Sequence, residues 1–252
     1  ANQRRLWTPN TWGPSLITYW WDAADVRSYT FWAGGVTAWK DKMRGLTGNE
    51  VSSGTGPLKY FGLNGMPIIK PTAGTQSELD FTGTTNTDWT VYAVTQDDGS
   101  NANRAIFSCA PGGLGPYIGY IGNTTAEFYM AQISGTIMVR SGMNGPINNN
   151  GWNIVGYRSA GVSGGNVHLI SVNGKVITNT AAVAFGAGAS QLLNDSLNDP
   201  YSGGIGEIIC YAGRHTDYQM KVVEGYLAWR WGLQWLLRSG HPFTYRPPEI
   251  GD

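Results

Sequence analysis

Apolar residues return along this chain at every second position or in short blocks, and Gly, Asn or Pro closes each block. Runs of this kind cover 16–21, 36–40, 77–81, 89–95, 104–109, 116–122, 126–133, 135–141, 152–159, 166–172, 175–179 and 206–212. Alternation with period 2 sends successive side chains to opposite faces of a strand, so about a dozen strands are predicted. Asn173-Gly174 supplies two adjacent positions that tolerate positive φ, as a type I′ turn requires, and it predicts a hairpin of 166–172 against 175–179. No helical pattern alternates with the strands. The layer rules then favour two antiparallel sheets packed face to face, an all-β jelly-roll sandwich, over a doubly wound sheet.

One segment changes period. From Thr216, "TDYQMKVVEGYLAWRWGL" puts Met220, Val223, Leu227 and Trp231 on one helical face, with Thr216 and Gln219 at capping-box spacing and Gly232 at the C-terminus. A single C-terminal α-helix is predicted over about 216–231. Gly225 costs this helix roughly 1 kcal/mol relative to Ala. Close packing against the sheet is the expected reason for it. The tail "HPFTYRPPEIGD" carries no regular pattern. No repeat or linker divides the chain, so residues 1–252 are read as one domain with a short N-terminal arm, 1–10, and a C-terminal tail, 240–252.

Composition narrows the function classes. Charged residues are 13% of the 252, against a usual quarter or so, while Gly (36) and Trp (11) are abundant. Seventeen basic residues balance seventeen acidic ones, so no net field draws the chain to nucleic acid or an anionic membrane. No stretch approaches the ~20 apolar residues of a membrane span, and "ANQRRLW" lacks a signal-peptide core. Ala1 reads as the residue left after removal of an initiator Met, and synthesis in a reducing cytoplasm is expected. Cys109 and Cys210 sit in apolar runs and read as buried free thiols.

Catalytic chemistry finds little purchase. A glycosidase needs two carboxylates flanking the scissile bond, about 5 Å apart for retention or further apart for inversion. The nearest approaches are Glu78 with Asp80, two apart on one strand, and Glu207, on the same strand face as Ile205 and Ile209. Glu207 is expected to be a partly buried structural carboxylate paired to an Arg. His168, His215 and His241 have no metal-ligand spacing and are assigned to packing or surface. The Gly-rich stretches 111–116 and 186–190 read as loops. The chain is therefore read as a non-enzyme.

Recognition has more candidates. The polar loops around 97–103, 143–151 and 192–204 carry Asp97, Asp98, Asn101, Asn148, Asn149, Asn194 and Asp195, whose amides and carboxylates suit sugar hydroxyls. Exposed indoles stack on sugar faces or anchor interfaces. Trp7, Trp12, Trp32 and Trp235 lie outside the clearest strands and are the candidates, while Trp20, Trp21, Trp39, Trp89, Trp152, Trp229 and Trp231 are expected in the core or against the helix.

The order of motifs resembles a known group. "WNIVGYRSAGVSGGNVHLISVNGKVI" (152–177) followed by "IGEIICYAGRHTDYQMKVVEGYLAWRWGL" (205–233) resembles the closing half of laminin G-like, concanavalin A-like jelly-roll domains. "LITYWWDAADVRSY", "GGVTAWKDK" and "GLNGMPII" resemble the opening half of the form found in bacteriophage and bacterial surface proteins. The likeness runs from about Trp7 to Pro248. It implies a virion component, a head decoration or tail part, with other virion proteins or copies of itself as partners in a capsid or tail lattice. On the N-terminal arm the basic pair Arg4-Arg5, with Trp7, are the candidate docking residues, and the polar loops make host surface polysaccharide a further candidate partner; the resemblance implies a rim calcium near "DDGSNAN" (97–103) as the one cofactor to consider. The alternatives are a carbohydrate-binding adhesin and, behind it, a glycoside hydrolase on the same fold.

Overall fold

The computed structural model describes residues 5–32, 35–50, 57–71, 79–81, 89–97, 104–108, 117–121, 127–132, 136–140, 148, 151–158, 167–180, 190–192, 201 and 203–252. Two antiparallel sheets form the body. In spatial order the first holds β15 (Lys175–Thr180), β14 (Val167–Val172), β13 (Trp152–Arg158), β8 (Trp89–Gln96), β17 (Ile205–Ala212), β6 (Met66–Lys70) and β5 (Leu58–Leu63), with β1 (Ile17–Asp22) also paired to β17. The second holds β12 (Thr136–Arg140), β11 (Glu127–Gln132), β10 (Tyr117–Ile121), β9 (Arg104–Ser108), β16 (Ser190–Leu192), β7 (Leu79–Phe81), β4 (Thr47–Glu50), β3 (Gly35–Lys40) and β2 (Tyr29–Trp32). Every strand predicted from the alternating pattern is present. The predicted two-sheet sandwich is the fold observed.

The pleat explains how the first sheet serves two layers. On β8, Val91, Ala93 and Thr95 face the second sheet, and the Thr95 hydroxyl meets the Tyr120 hydroxyl of β10 at 2.7 Å. Trp21 of β1 reaches Phe107 of β9 across the same interior, ring centroids 6.3 Å apart. The alternate residues, Thr90, Tyr92 and Val94, face the helix α1 (Asp217–Trp231). At the centre of the sheet both faces are thus buried, which is why β17 is buried along nearly its whole length. Cys210 lies in this core as a free thiol, its pKa pushed up by burial, and Cys109 is outside the described residues.

The helix has the predicted caps. Thr216 and Gln219 form the reciprocal capping box, and Gly232 ends it in the left-handed region at φ 70°. Its surroundings differ from the expectation. Gly225 does not pack on the sheet: a Cβ there would stand 2.6 Å from the Cβ of Phe243, in the C-terminal tail. The helix is covered on two sides, by the sheet through Met220 and Trp231 and by the tail through Phe243, which is fully buried. The tail in turn closes on the N-terminal arm. Trp7 N donates to Pro248 O at 3.0 Å, Ile250 N donates to Arg5 O at 2.8 Å, and Arg246 forks onto Asp252 at 2.8 and 2.9 Å.

The Asn173-Gly174 hairpin takes the expected form, with φ of 50° and 79°. Gly174 is required a second way, because a Cβ there would come within 3.1 Å of the His241 ring. Five strands had no counterpart among the predicted ones: β2, β4, β5, β6 and β16. Of these β5 and β6 share a second Asn-Gly turn, Asn64-Gly65, at φ of 51° and 70°. Pro67 weakens the strand signal of β6; it pairs with Phe61 of β5 beside the register shift between Phe61 and Leu63, and β6 meets β17 only at Ile69 with Ile205.

Candidate functional site

The recurrent motifs of the chain converge on one buried centre. Asp22 and Glu207 stand opposite each other on β1 and β17, both fully buried. The Glu207 carboxylate is saturated. Trp20 Nε1 donates to Oε1 at 2.7 Å and Tyr226 OH to the same oxygen at 3.1 Å, while Trp231 Nε1 donates to Oε2 at 2.7 Å. Arg230 bridges the two acids, with Nε 3.1 Å from Glu207 Oε2 and NH2 2.7 Å from Asp22 Oδ2. Lys42 completes the charge balance, 2.8 Å from Asp22 Oδ2 and over the Trp20 ring at 4.2 Å. Asp41, next to it, accepts from the backbone N–H groups of Trp20, Met43 and Arg44 and so ties the Trp39 turn to β1.

Burial and the neighbouring charge of Asp22 push Glu207 up from its ordinary 4.5 to about 7, against the pull of Arg230 and the indole donors. Two carboxylates side by side are the raw material of glycosidase chemistry, and the strand pairing supplies what no single strand showed. The donors decide what the pair can do here. To meet a substrate, Glu207, itself fully buried, would have to give up two indoles, a phenol and a guanidinium, so the centre acts as a polar lock between β1, β17 and α1. The expectation that Glu207 pairs with an Arg is met by Arg230. Its burial is complete, where partial burial was expected.

The predicted recognition residues scatter. Trp32 is 69% exposed on the terminal strand β2, with Phe31 beside it and Lys59 Nζ 5.9 Å above the Phe31 ring. Trp235, in the 3-10 turn Gln234–Leu236 after the helix, is 67% exposed. Trp7 is a correction: it is buried, stacked edge-on against Trp12 at 4.7 Å and Tyr226 at 5.7 Å, so its ring packs the protein's own core and is not free to dock. Asp97 is likewise buried. Asn148 serves the fold, its N–H donating to Asn153 Oδ1 at 2.7 Å, and Asn153 Oδ1 also accepts from Asn173 Nδ2 at 2.9 Å. Arg5 is exposed at the arm. Arg4, Asp98, Asn101, Asn149, Asn194 and Asp195 lie outside the described residues, as do Glu78 and the side chains of Asp80, Trp89 and His168.

His215 is buried under the helix N-terminus, its Nδ1 2.8 Å from the Tyr92 hydroxyl, and burial together with Arg158 pushes its pKa down to about 4. His241 sits 3.2 Å from Glu224 in the core. Among the described residues no group of three His, Cys, Asp or Glu side chains is placed to hold a metal. No helix among them is long and apolar enough to cross a membrane.

Two clefts open around the helix. One, of about 370 Å³, is mostly apolar and lies between arm, helix and tail, with Leu6, Tyr226, Trp229, Arg230, Pro247 and Pro248 on its walls. The other, of about 360 Å³, is basic and lies where the Asn173-Gly174 turn, the helix and the residues after it meet. Sequence reasoning had named neither, since each is assembled from segments far apart in the chain.

No protein-family model matches the chain, and no curated protein matches it in sequence. Solved structures match it in fold. Domain 4 of an extracellular GH43 arabinanase from Geobacillus stearothermophilus, solved with arabinotriose, has a TM-score of 0.56 at 15% identity over 81% of this chain and 95% of that one. The binding domain of botulinum neurotoxin DC, in complex with SialylT, has a TM-score of 0.57 at 11% identity, covering 85% and 52%. Trypanosoma rangeli sialidase in complex with sialic acid has a TM-score of 0.53 at 12% identity, covering 91% and 36%. At these identities the likeness shows the fold, a jelly-roll β-sandwich. The chain spans nearly the whole arabinanase domain but about half of the toxin binding domain and about a third of the sialidase.

Proposed function

We propose that the chain is a non-catalytic jelly-roll module that binds carbohydrate. The observation that carries this reading is the exposed indole of Trp32 on β2, the terminal strand of the second sheet among the described residues, with Phe31 half-exposed next to it. A solvent-facing Trp offers the flat apolar surface that the C–H face of a sugar ring covers. The sugar-bound state of fold neighbours, arabinotriose on the arabinanase domain and sialic acid on the sialidase, supports the same ligand class. Occupation of Glu207 by three hydrogen-bond donors and the Arg230 ion pair supports the absence of glycosidase chemistry.

The setting we propose is a bacteriophage particle, as a head decoration or tail component that assembles with other virion proteins or with copies of itself. The support is the order of motifs from Trp7 to Pro248, and immunogold labelling of purified particles tests it. Ligand class is tested by binding labelled protein to host cells before and after removal of surface polysaccharide, with and without calcium, with reducing ends assayed in the same tubes. Polysaccharide-dependent binding without sugar release, weakened about tenfold or more by Trp32→Ala, is the expected outcome. Release of reducing ends would overturn the non-catalytic reading, and undiminished binding by Trp32→Ala would remove the β2 edge from it.

A further inference from the structure

The basic cleft is built by three separate elements. Lys175 comes from the first position of β15, Lys221 from the helix, and Arg238 from the turn that follows it, with Val176, Ser239 and His241 completing the walls. Among the described residues no carboxylate lines it. The nearest buried acid, Glu224, lies behind His241 and is occupied by the Ser171 hydroxyl and His241 Nε2. Among the described residues neither lysine ammonium nor the Arg238 guanidinium forms an ion pair within the protein. The frame is fixed, because Gly174 packs directly on the His241 ring and the ring on Phe243. Three like charges held around one space repel one another, and an anion placed between them reverses the sign of that energy.

We infer that this cleft receives the carboxylate or sulfate of an acidic sugar, an inference that rests on the carbohydrate reading above and gives it a ligand class. The volume, about 360 Å³, is in the range of small-ligand sites. Val176, 42% exposed at the rim, offers an apolar contact for ring C–H groups, and Ser239 a hydroxyl for ring oxygens. A nucleic acid would ask for a longer track of cations following its phosphates, and the chain as a whole has seventeen charges of each sign.

The test is calorimetric or surface-based titration of the full chain with polygalacturonate for carboxylate, heparin for sulfate, dextran as a neutral polymer and duplex DNA as a non-sugar polyanion. The Lys175→Gln/Lys221→Gln/Arg238→Gln variant is compared at equal thermal stability. Binding of an acidic polysaccharide over dextran and DNA, reduced on the order of tenfold or more in the triple variant and by added salt, is expected. Which acidic polymer binds separates carboxylate from sulfate. Equal binding by wild type and variant overturns the cleft while leaving the carbohydrate reading intact, as does a preference for dextran. Equal affinity for DNA overturns the sugar assignment, and a wild type that binds none of the polymers overturns the acidic-sugar inference, while the host-cell assay decides the carbohydrate reading separately.

Discussion

Gly225 shows how a single residue answers to two scales of structure. Helix propensity favours alanine there by roughly 1 kcal/mol. Contact does not, since the added Cβ would press on the Cβ and ring of buried Phe243 at 2.6 to 2.8 Å, and neither the helix nor the tail can retreat. Gly225→Ala is therefore expected to lower stability by about 1–3 kcal/mol, the usual cost of overpacking, with a smaller loss when made in a Phe243→Ala background. Thermal melts of the four chains in that cycle check it. Two buried titrating groups give a second prediction. Glu207 is pushed up to about 7 from 4.5, so the folded chain keeps a proton that the unfolded chain releases, and its contribution, complete below about 4.5, is lost as pH rises through 7. His215 is pushed down to about 4 from 6.5, so its contribution is complete above 6.5 and lost as pH falls through 4. Between 4.5 and 6.5 the two oppose each other. Glu207→Gln is expected to leave a melting temperature that rises with pH over this window, and His215→Gln one that falls. Identical slopes in both variants would refute the assignment.

Among the elements, the tail is the one whose role the structure redefines. Read as sequence, residues 240–252 are a tail without regular pattern, and the arm 1–10 carries the docking candidates Arg4, Arg5 and Trp7. In the fold residues 5–10 and 240–252 are walls: Phe243 is fully buried, the Trp229 indole donates to its carbonyl at 2.8 Å, and Leu6 pairs with Glu249 across the two ends. Removal of 241–252 is expected to destabilise the chain by several kcal/mol, about 3–5 from the Phe243 contact alone, and denaturant unfolding measures it. A truncated chain as stable as the full one would show that the tail is no wall of the core. The strands divide in an instructive way. Runs such as "WTVYAVT" and "WNIVGYRS" announce themselves because both their faces are covered and apolar residues fill them. β4, "TGNE", and β16, "SQL", are polar or three residues long, and only the strands on either side make them strands.

For the whole molecule, the composition and period already fixed an all-β body with one helix, because side-chain periodicity is a local property of each segment and survives reading one segment at a time. The Asn-Gly turns and the helix caps were legible for the same reason: the backbone angles they need are set by the residues themselves. Whatever depends on two segments meeting was decided only in the tertiary structure. No spacing in the sequence joins Asp22 to Glu207 or either to Arg230, and the pair arises because β1 lies antiparallel to β17 in one register with the helix laid across them. Trp7 and Trp32 are both indoles outside clear strands. One is buried by an arm folded under a tail and the other is left at a sheet edge, a difference created by chain packing over more than 200 residues. The basic cleft is the same kind of object. Lys175, Lys221 and Arg238 are unremarkable cations in the sequence, and become a site because a hairpin turn, a helix and a closing turn are brought around one space.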